Sequence, residues 1–335
     1  MKTISLNLSS RVIFAVIFAT LSVPGTPDPS LAATLPCNSC SRPGLKNQIE
    51  TEGEDFSSLR LATPLLAAQP LGGEVSEHQD FTIELMQVRW RKGDPIDLYV
   101  IKPKRVEKPP IILFLYGYPS ETDRFSSEEF CRLVTKGGFA AAGFVEALDG
   151  HRYHDRPMRQ WFVSELQEAL VTSVHDVQMV LNYLSSRSDL DANRIGMFGQ
   201  GSGGTIAILA ASVDPRIKAI NVLDPWGDWP RWIGKSALIP EDERSGYMVP
   251  AFLDKLAPLD PVRVLPSLTI PVHVQDALYE KGTPRDSKEH LESALAKLGS
   301  VARYATPSDF QDAVRDGKLL DWIKDQVRTP NGRRI

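Results

Sequence analysis

The run "RIGMFGQGSGGTIAILAA", Arg194–Ala211, opens with a short apolar segment, breaks at Gly199, Gly201, Gly203 and Gly204, and resumes as a second apolar segment. The first has the length and content of a buried strand, the second those of a buried helix. The glycines between them allow a sharp turn and a close approach of the two backbones. A strand that passes through such a turn straight into a helix is the repeating unit of α/β architecture.

The chain on either side repeats this unit. Upstream, "TIELMQVRW" and "DLYVIK" alternate around "KGDP", a hairpin signal. "IILFLY" reads as a strand, "SSEEFCRLVTKG" as a serine-capped helix, "FAAAGFV" as a strand and Trp161–Arg187 as a long helix. Downstream, "IKAINVL", "PVHVQD" and "VARYA" read as strands. "SKEHLESALAKLG" and a last segment from about Asp309 to Val327 read as helices. Two initial strands and six later ones predict an eight-stranded, mostly parallel sheet covered on both faces, a three-layer α/β domain. Between "INVLD" and "IPVHV" lies an insertion, about 225–269, with Trp226, Trp229 and Trp232 among prolines. It is too long for an ordinary connection and predicts a small cap over the C-terminal edge of the sheet. The domain then spans 80–328, preceded by an extended arm at 34–79 and followed by a tail at 329–335.

Composition narrows the partners. The 335 residues are 42% hydrophobic and 24% charged, which suits a globular protein with a large core. A net charge of -4 leaves no basic footprint for nucleic acid. At the N-terminus, Lys2 and Arg11 precede "VIFAVIFATLSV", and small residues follow at Ala32 and Ala33. Residues 1–33 therefore read as a signal peptide directing an extracytoplasmic, periplasmic or secreted protein. The apolar stretch is short for a bilayer, and the mature chain has no span. Cys37 and Cys40 form a lone C-x-x-C that an oxidising compartment would favour as a local disulfide. Cys131 sits in a helical apolar pattern and reads as core.

Three phrases carry a likeness covering roughly Thr82 to Val327. "PPIILFLYGYP", "HDVQMVLNYLSSRSDLDANRIGMFGQGSGG" and "IPVHVQDALYEKGTP" resemble the oxyanion strand and loop, the nucleophile elbow, and the acid-bearing strand and loop of the α/β-hydrolase superfamily. The resemblance is to its dienelactone-hydrolase and prolyl-oligopeptidase-like branch. It implies the three-layer fold, relation to ester and peptide hydrolases, and a nucleophile–acid–histidine triad.

The elbow pattern G-x-S-x-G can be laid on this chain in two registers. One uses every glycine and puts Gly201 at the nucleophile; the other makes Ser202 the nucleophile and Gln200 the first glycine. The first is favoured, which leaves Ser202 structural. Its N–H, with one near Tyr118, would then form the oxyanion hole. The acid falls on Glu280. After the last strand, where the triad histidine is expected, the sequence reads "TPSDF", with Ser308 or Asp309 in its place. His273 lies inside a strand and His290 in a helix. A carboxylate is a poor acceptor for a serine proton near neutral pH.

Other candidate groups lie away from the elbow. His151, His154 and Asp155 could hold a metal, or His151 could be a displaced base, but no further ligand cluster completes a site. No metal and no cofactor are expected. His175 and Asp176 read as structural. The Trp226, Trp229 and Trp232 group is either cap packing or the wall of a pocket. The residues expected around the pocket are thus Tyr118, Gly201, Ser202, Trp226, Glu280 and Asp309. The leading expectation is a hydrolase-like protein without ordinary serine hydrolysis, a pseudoenzyme that keeps a pocket for a small ester, carboxylate or peptide-like ligand. The alternatives are an esterase or peptidase in which Ser202 attacks with Glu280 and His151, and a secreted interaction protein.

Overall fold

The computed structural model describes residues 55–61, 70, 72–91, 94–117, 122–148 and 165–328. The signal segment, Cys37 and Cys40, Tyr118, the 151–156 histidine segment and the tail 329–335 lie outside the described residues.

The strands are β1 (Gly72–Glu77), β2 (Phe81–Arg91), β3 (Asp94–Pro103), β4 (Pro110–Leu115), β5 (Ala140–Gly143), β6 (Asp191–Gln200), β7 (Ile217–Leu223), β8 (Val272–Ala277) and β9 (Gly299–Tyr304). They form one sheet in the order β1-β2-β3-β5-β4-β6-β7-β8-β9. β1, β2 and β3 pair antiparallel, as does β3 with β5, and every pair from β5 to β9 is parallel. The sheet has nine strands where the sequence predicts eight. The additional strand, β1, reads "GGEVSE" and is exposed at every position, so it has no alternation to announce it. It is held by its backbone ladder to β2 at the sheet edge.

The helices are α1 (Glu128–Thr135), α2 (Leu166–Ser186), α3 (Ser202–Val213), α4 (Trp229–Lys235), α5 (Arg244–Tyr247), α6 (Pro250–Leu256), α7 (Pro261–Val264), α8 (Arg285–Ser293), α9 (Pro307–Arg315) and α10 (Lys318–Arg328). The central strands are apolar because both faces are covered: all six residues of β4 are buried. On one face Gly196 of β6 lies against Ile323 and Val327 of α10. α2 and α3 pack against each other, and α3 lies on β6 and β7. The insertion between β7 and β8 holds α4 to α7, and its apolar side chains join the main core.

Part of the arm is also built into the core. His175 Nε2 on α2 donates to Ser58 O at 2.8 Å, and Gln178 Nε2 to Leu59 O at 2.7 Å. Phe56, Leu59 and Leu61 pack against the same hydrophobic cluster as α2.

Candidate functional site

The C-terminal ends of β4, β6, β7 and β8 meet at one edge of the sheet, where open α/β folds place their ligands. At the end of β6 the chain turns into α3 through Gly201, which has φ 56° and ψ −122°. This is the sharp strand-to-helix turn of an elbow, and a residue with a Cβ is strained there by about 1–3 kcal/mol. The turn sits on close backbone contacts. A Cβ on Gly199 would stand 2.3 Å from Gly203 O, and one on Gly203 would stand 2.4 Å from Leu115 O. Gly201 N donates to Leu223 O at 2.9 Å. Gly201 O accepts from Gly204 N at 3.0 Å and Trp226 N at 3.3 Å.

The position that a nucleophile's Cβ would occupy on residue 201 has two neighbours. Trp226 Nε1 lies 3.3 Å from it and Gly117 Cα 3.7 Å. Gly117, at the end of β4, approaches so closely that its own Cβ would be 2.8 Å from Ser202 N. The segment after β4 and the first turn of α3 are therefore in contact through backbone.

Ser202 begins α3, and its hydroxyl donates to Glu146 Oε1, beyond the end of β5; both residues are buried. The sequence reading did not single out Glu146. Its one signal is a carboxylate inside the apolar run "FVEALDG". Ala147 N beside it donates to Ser173 Oγ of α2 at 2.9 Å.

Glu280 sits half-buried in the loop after β8 and accepts from the N–H groups of Lys281 at 2.7 Å and Gly282 at 2.8 Å. The cap clamps this loop: Ser236 Oγ donates to Gly282 O at 2.6 Å and Ala237 N to Lys281 O at 3.1 Å. Thr283 Oγ1 donates to Asp224 O at 2.9 Å, tying the loop to the end of β7. Asp309, at the place where a triad histidine was sought, is exposed and belongs to a capping box. Its N–H donates to Thr306 Oγ1 at 3.2 Å and its carboxylate accepts from Thr306 N at 3.0 Å, which starts α9.

The described histidines are each engaged elsewhere. His273 Nδ1 meets Ser300 Oγ at 2.8 Å and its ring stacks on Trp322; burial lowers its pKa. His290 Nδ1 is 2.9 Å from Asp228 Oδ2. His175 holds Ser58 O, and His78 stacks on Phe81. Cys131 is buried, and burial pushes its thiol pKa up to about 12. Among the described residues no group of three or more His, Cys, Asp and Glu could hold a metal ion.

Trp226, Trp229 and Trp232 are buried together, with Trp226 and Trp232 centroids 4.6 Å apart and Trp229 edge-on to Trp232. Thr205 Oγ1 on α3 donates to Trp226 O at 2.7 Å. Asp260 organises the turn into α4, accepting from Asp228 N at 2.8 Å and Trp229 N at 3.2 Å. Two non-glycine residues in this turn, Asp224 and Asp228, have positive φ.

Under this surface lies a charged cluster that the sequence reading missed. Lys288 Nζ, buried on α8, donates to Asp224 Oδ1 and, at 2.6 Å, to Ala277 O. Burial pushes the Asp224 carboxyl up to about 6 despite the lysine. Asp276, 1% exposed on β8, has no donor to either oxygen and meets the Glu292 carboxyl. Burial and the neighbouring Glu292 and Asp224 carboxylates push it up to about 8.

No protein-family model matches the chain. The curated protein "Putative hydrolase YtaP" of Bacillus subtilis (strain 168) is 29% identical over 182 residues, 48% of this chain and 59% of its own length. The chain thus matches little more than half of that relative. Among solved structures, acetyl xylan esterase 1 from Thermoanaerobacterium sp. JW/SL YS485 superposes with a TM-score of 0.58 at 16% identity, over 75% of this chain and 88% of that one. The acylaminoacyl peptidase of Pyrococcus horikoshii gives 0.60 at 14% identity, over 77% of this chain and 43% of that one. The strand order, the turn at Gly201 and these neighbours agree: the chain has the α/β-hydrolase fold.

Proposed function

We propose that the protein does not carry out ordinary serine hydrolysis and instead uses the C-terminal edge of the sheet to bind a small ester, carboxylate or peptide-like ligand. The observation that carries this reading is the backbone of Gly201, whose φ of 56° puts it at the strained elbow position that a nucleophile would hold. A glycine there supplies no nucleophile. The neighbouring Ser202 hydroxyl is buried and committed to Glu146, a carboxylate that would have to be a far stronger base than usual to activate it. The capping box at Thr306 and Asp309 takes the place where the fold would present a histidine. Ligand binding is supported by what remains of the scaffold: the elbow turn, its contact with Gly117, and the indole edge of Trp226 toward the vacated position.

The apolar run after Lys2 and Arg11 supports export, so the ligand would be met outside the cytoplasm. N-terminal sequencing of the mature chain tests this, with cleavage expected close to Ala33.

Fluorophosphonate labelling of the purified protein beside the Ser202→Ala variant, read by peptide mass spectrometry, tests the main reading. No labelling of either folded protein is expected. Labelling at Ser202 that disappears in the variant would overturn the reading and establish an active serine hydrolase.

A further inference from the structure

The charged cluster beneath the cap holds one carboxylate more than it can pair. Asp224 follows β7, Asp276 lies on β8, and Glu292 lies on α8 one turn beyond Lys288. Arg303 on β9 is opposite Asp276 in the strand register, yet its Nε and Nη2 donate to Glu292. Lys288 goes to Asp224 and to Ala277 O. Of the loop groups nearby, Glu280 adds negative potential at Asp224. Tyr279 stays neutral, its pKa pushed up to about 12 by burial and by Asp224 and Glu280. Three buried or half-buried carboxylates therefore face two cations, and Asp276, which meets the Glu292 carboxyl, is the one to which no cation donates.

An unpaired carboxylate at 1% exposure is expensive to ionise, so the cluster keeps a proton. We propose that Asp276, with Glu292, Arg303, Lys288 and Asp224, forms a proton-operated latch that holds α8 against the ends of β7 and β8. While Asp276 is protonated, two carboxylates balance two cations and Lys288 bridges the two strand ends. When the proton leaves, the excess charge repels Glu292 and Asp224, and α8 detaches from the sheet edge. The loop 278–284 leads directly into α8, and Asp224 leads into Trp226, so the latch also governs the loop of Glu280 and the wall beside the elbow. This inference is independent of whether Ser202 reacts.

Hydrogen exchange across α8, corrected for the intrinsic pH dependence of exchange, tests it on the full chain. In the wild type the opening equilibrium of α8 should rise by up to about tenfold per pH unit from the ordinary carboxylate range up to about pH 8, one proton's worth of linkage, and level off above it. In the Asp276→Asn variant the slope should be absent. Glu292→Gln, which leaves two carboxylates facing two cations, should abolish it as well. Infrared spectroscopy of the wild type should show a protonated buried carboxyl at neutral pH that titrates where that rise levels off, which keeps the test open if Asp276→Asn does not fold. A flat wild-type profile, or a slope that persists in either variant, would overturn the latch.

Discussion

Trp226 Nε1 stands 3.3 Å from the point where a Cβ on Gly201 would lie. The two residues are also joined through backbone, Trp226 N donating to Gly201 O at 3.3 Å. The turn at Gly201 and the first residues after β7 are therefore tied together, and substitutions at residue 201 must be accommodated by the indole.

Gly201→Ser should lower stability by about 1–3 kcal/mol, because serine is strained at φ 56° and its Cβ crowds Trp226. Gly201→Ala should lose a similar amount. Neither should hydrolyse activated esters. Urea midpoints and an ester assay check this, and strong esterase activity in Gly201→Ser would show that a base serves the new hydroxyl.

Ser202→Ala removes the hydroxyl that donates to the buried Glu146. Leaving a buried acceptor short of a donor should destabilise the protein by about 1–3 kcal/mol. Thermal unfolding of Ser202→Ala beside Ser202→Thr, which keeps the hydroxyl, separates the lost bond from the changed volume.

Lys288→Met removes the cation that keeps the buried Asp224 ionised, so Asp224 should take up a proton, and losing the buried hydrogen bonds should cost about 1–3 kcal/mol at neutral pH. The double variant Lys288→Met with Asp224→Asn should recover most of that loss. The two sets of urea titrations, run at one pH, give the coupling between the residues.

Lys324 makes stability depend on alkaline pH. Its ammonium donates to Leu133 O at 2.7 Å and Lys136 O at 3.0 Å at the end of α1, while burial lowers its pKa to about 8 from 10.5. Below pH 8 both folded and unfolded chains hold the proton and the full burial penalty applies. Between pH 8 and 10.5 the unfolded chain binds more protons than the folded one, so this residue's contribution to stability rises with pH. The difference in unfolding free energy between wild type and Lys324→Met should move in the wild type's favour across that window. A constant difference would show that Lys324 does not titrate there.

The element order was legible because interior parallel strands and their helices differ sharply in apolar period, and Arg194–Ala211 displays both on either side of its glycines. β1 was illegible because an exposed edge strand needs only backbone pairing. The sharp turn after β6 could be read from glycine spacing, since close approach at Gly199 and Gly203 excludes every other residue. The partners of the site could not. Glu146 meets Ser202 across 56 residues, and Lys288 meets Asp224 across 64, so only the fold brings each pair together. Asp309 differs, since its capping partner Thr306 lies only three residues before it.

The segment from Phe56 to Leu61, threaded along α2 by His175 and Gln178, sets where the chain can be trimmed. A truncated protein that starts at residue 80 would lack β1, leave the outer edge of β2 open to pairing with other chains, and uncover the apolar ground beneath Phe56, Leu59 and Leu61. Such a shortened chain would be prone to aggregate, whereas one that starts just before Asp55 keeps both coverings.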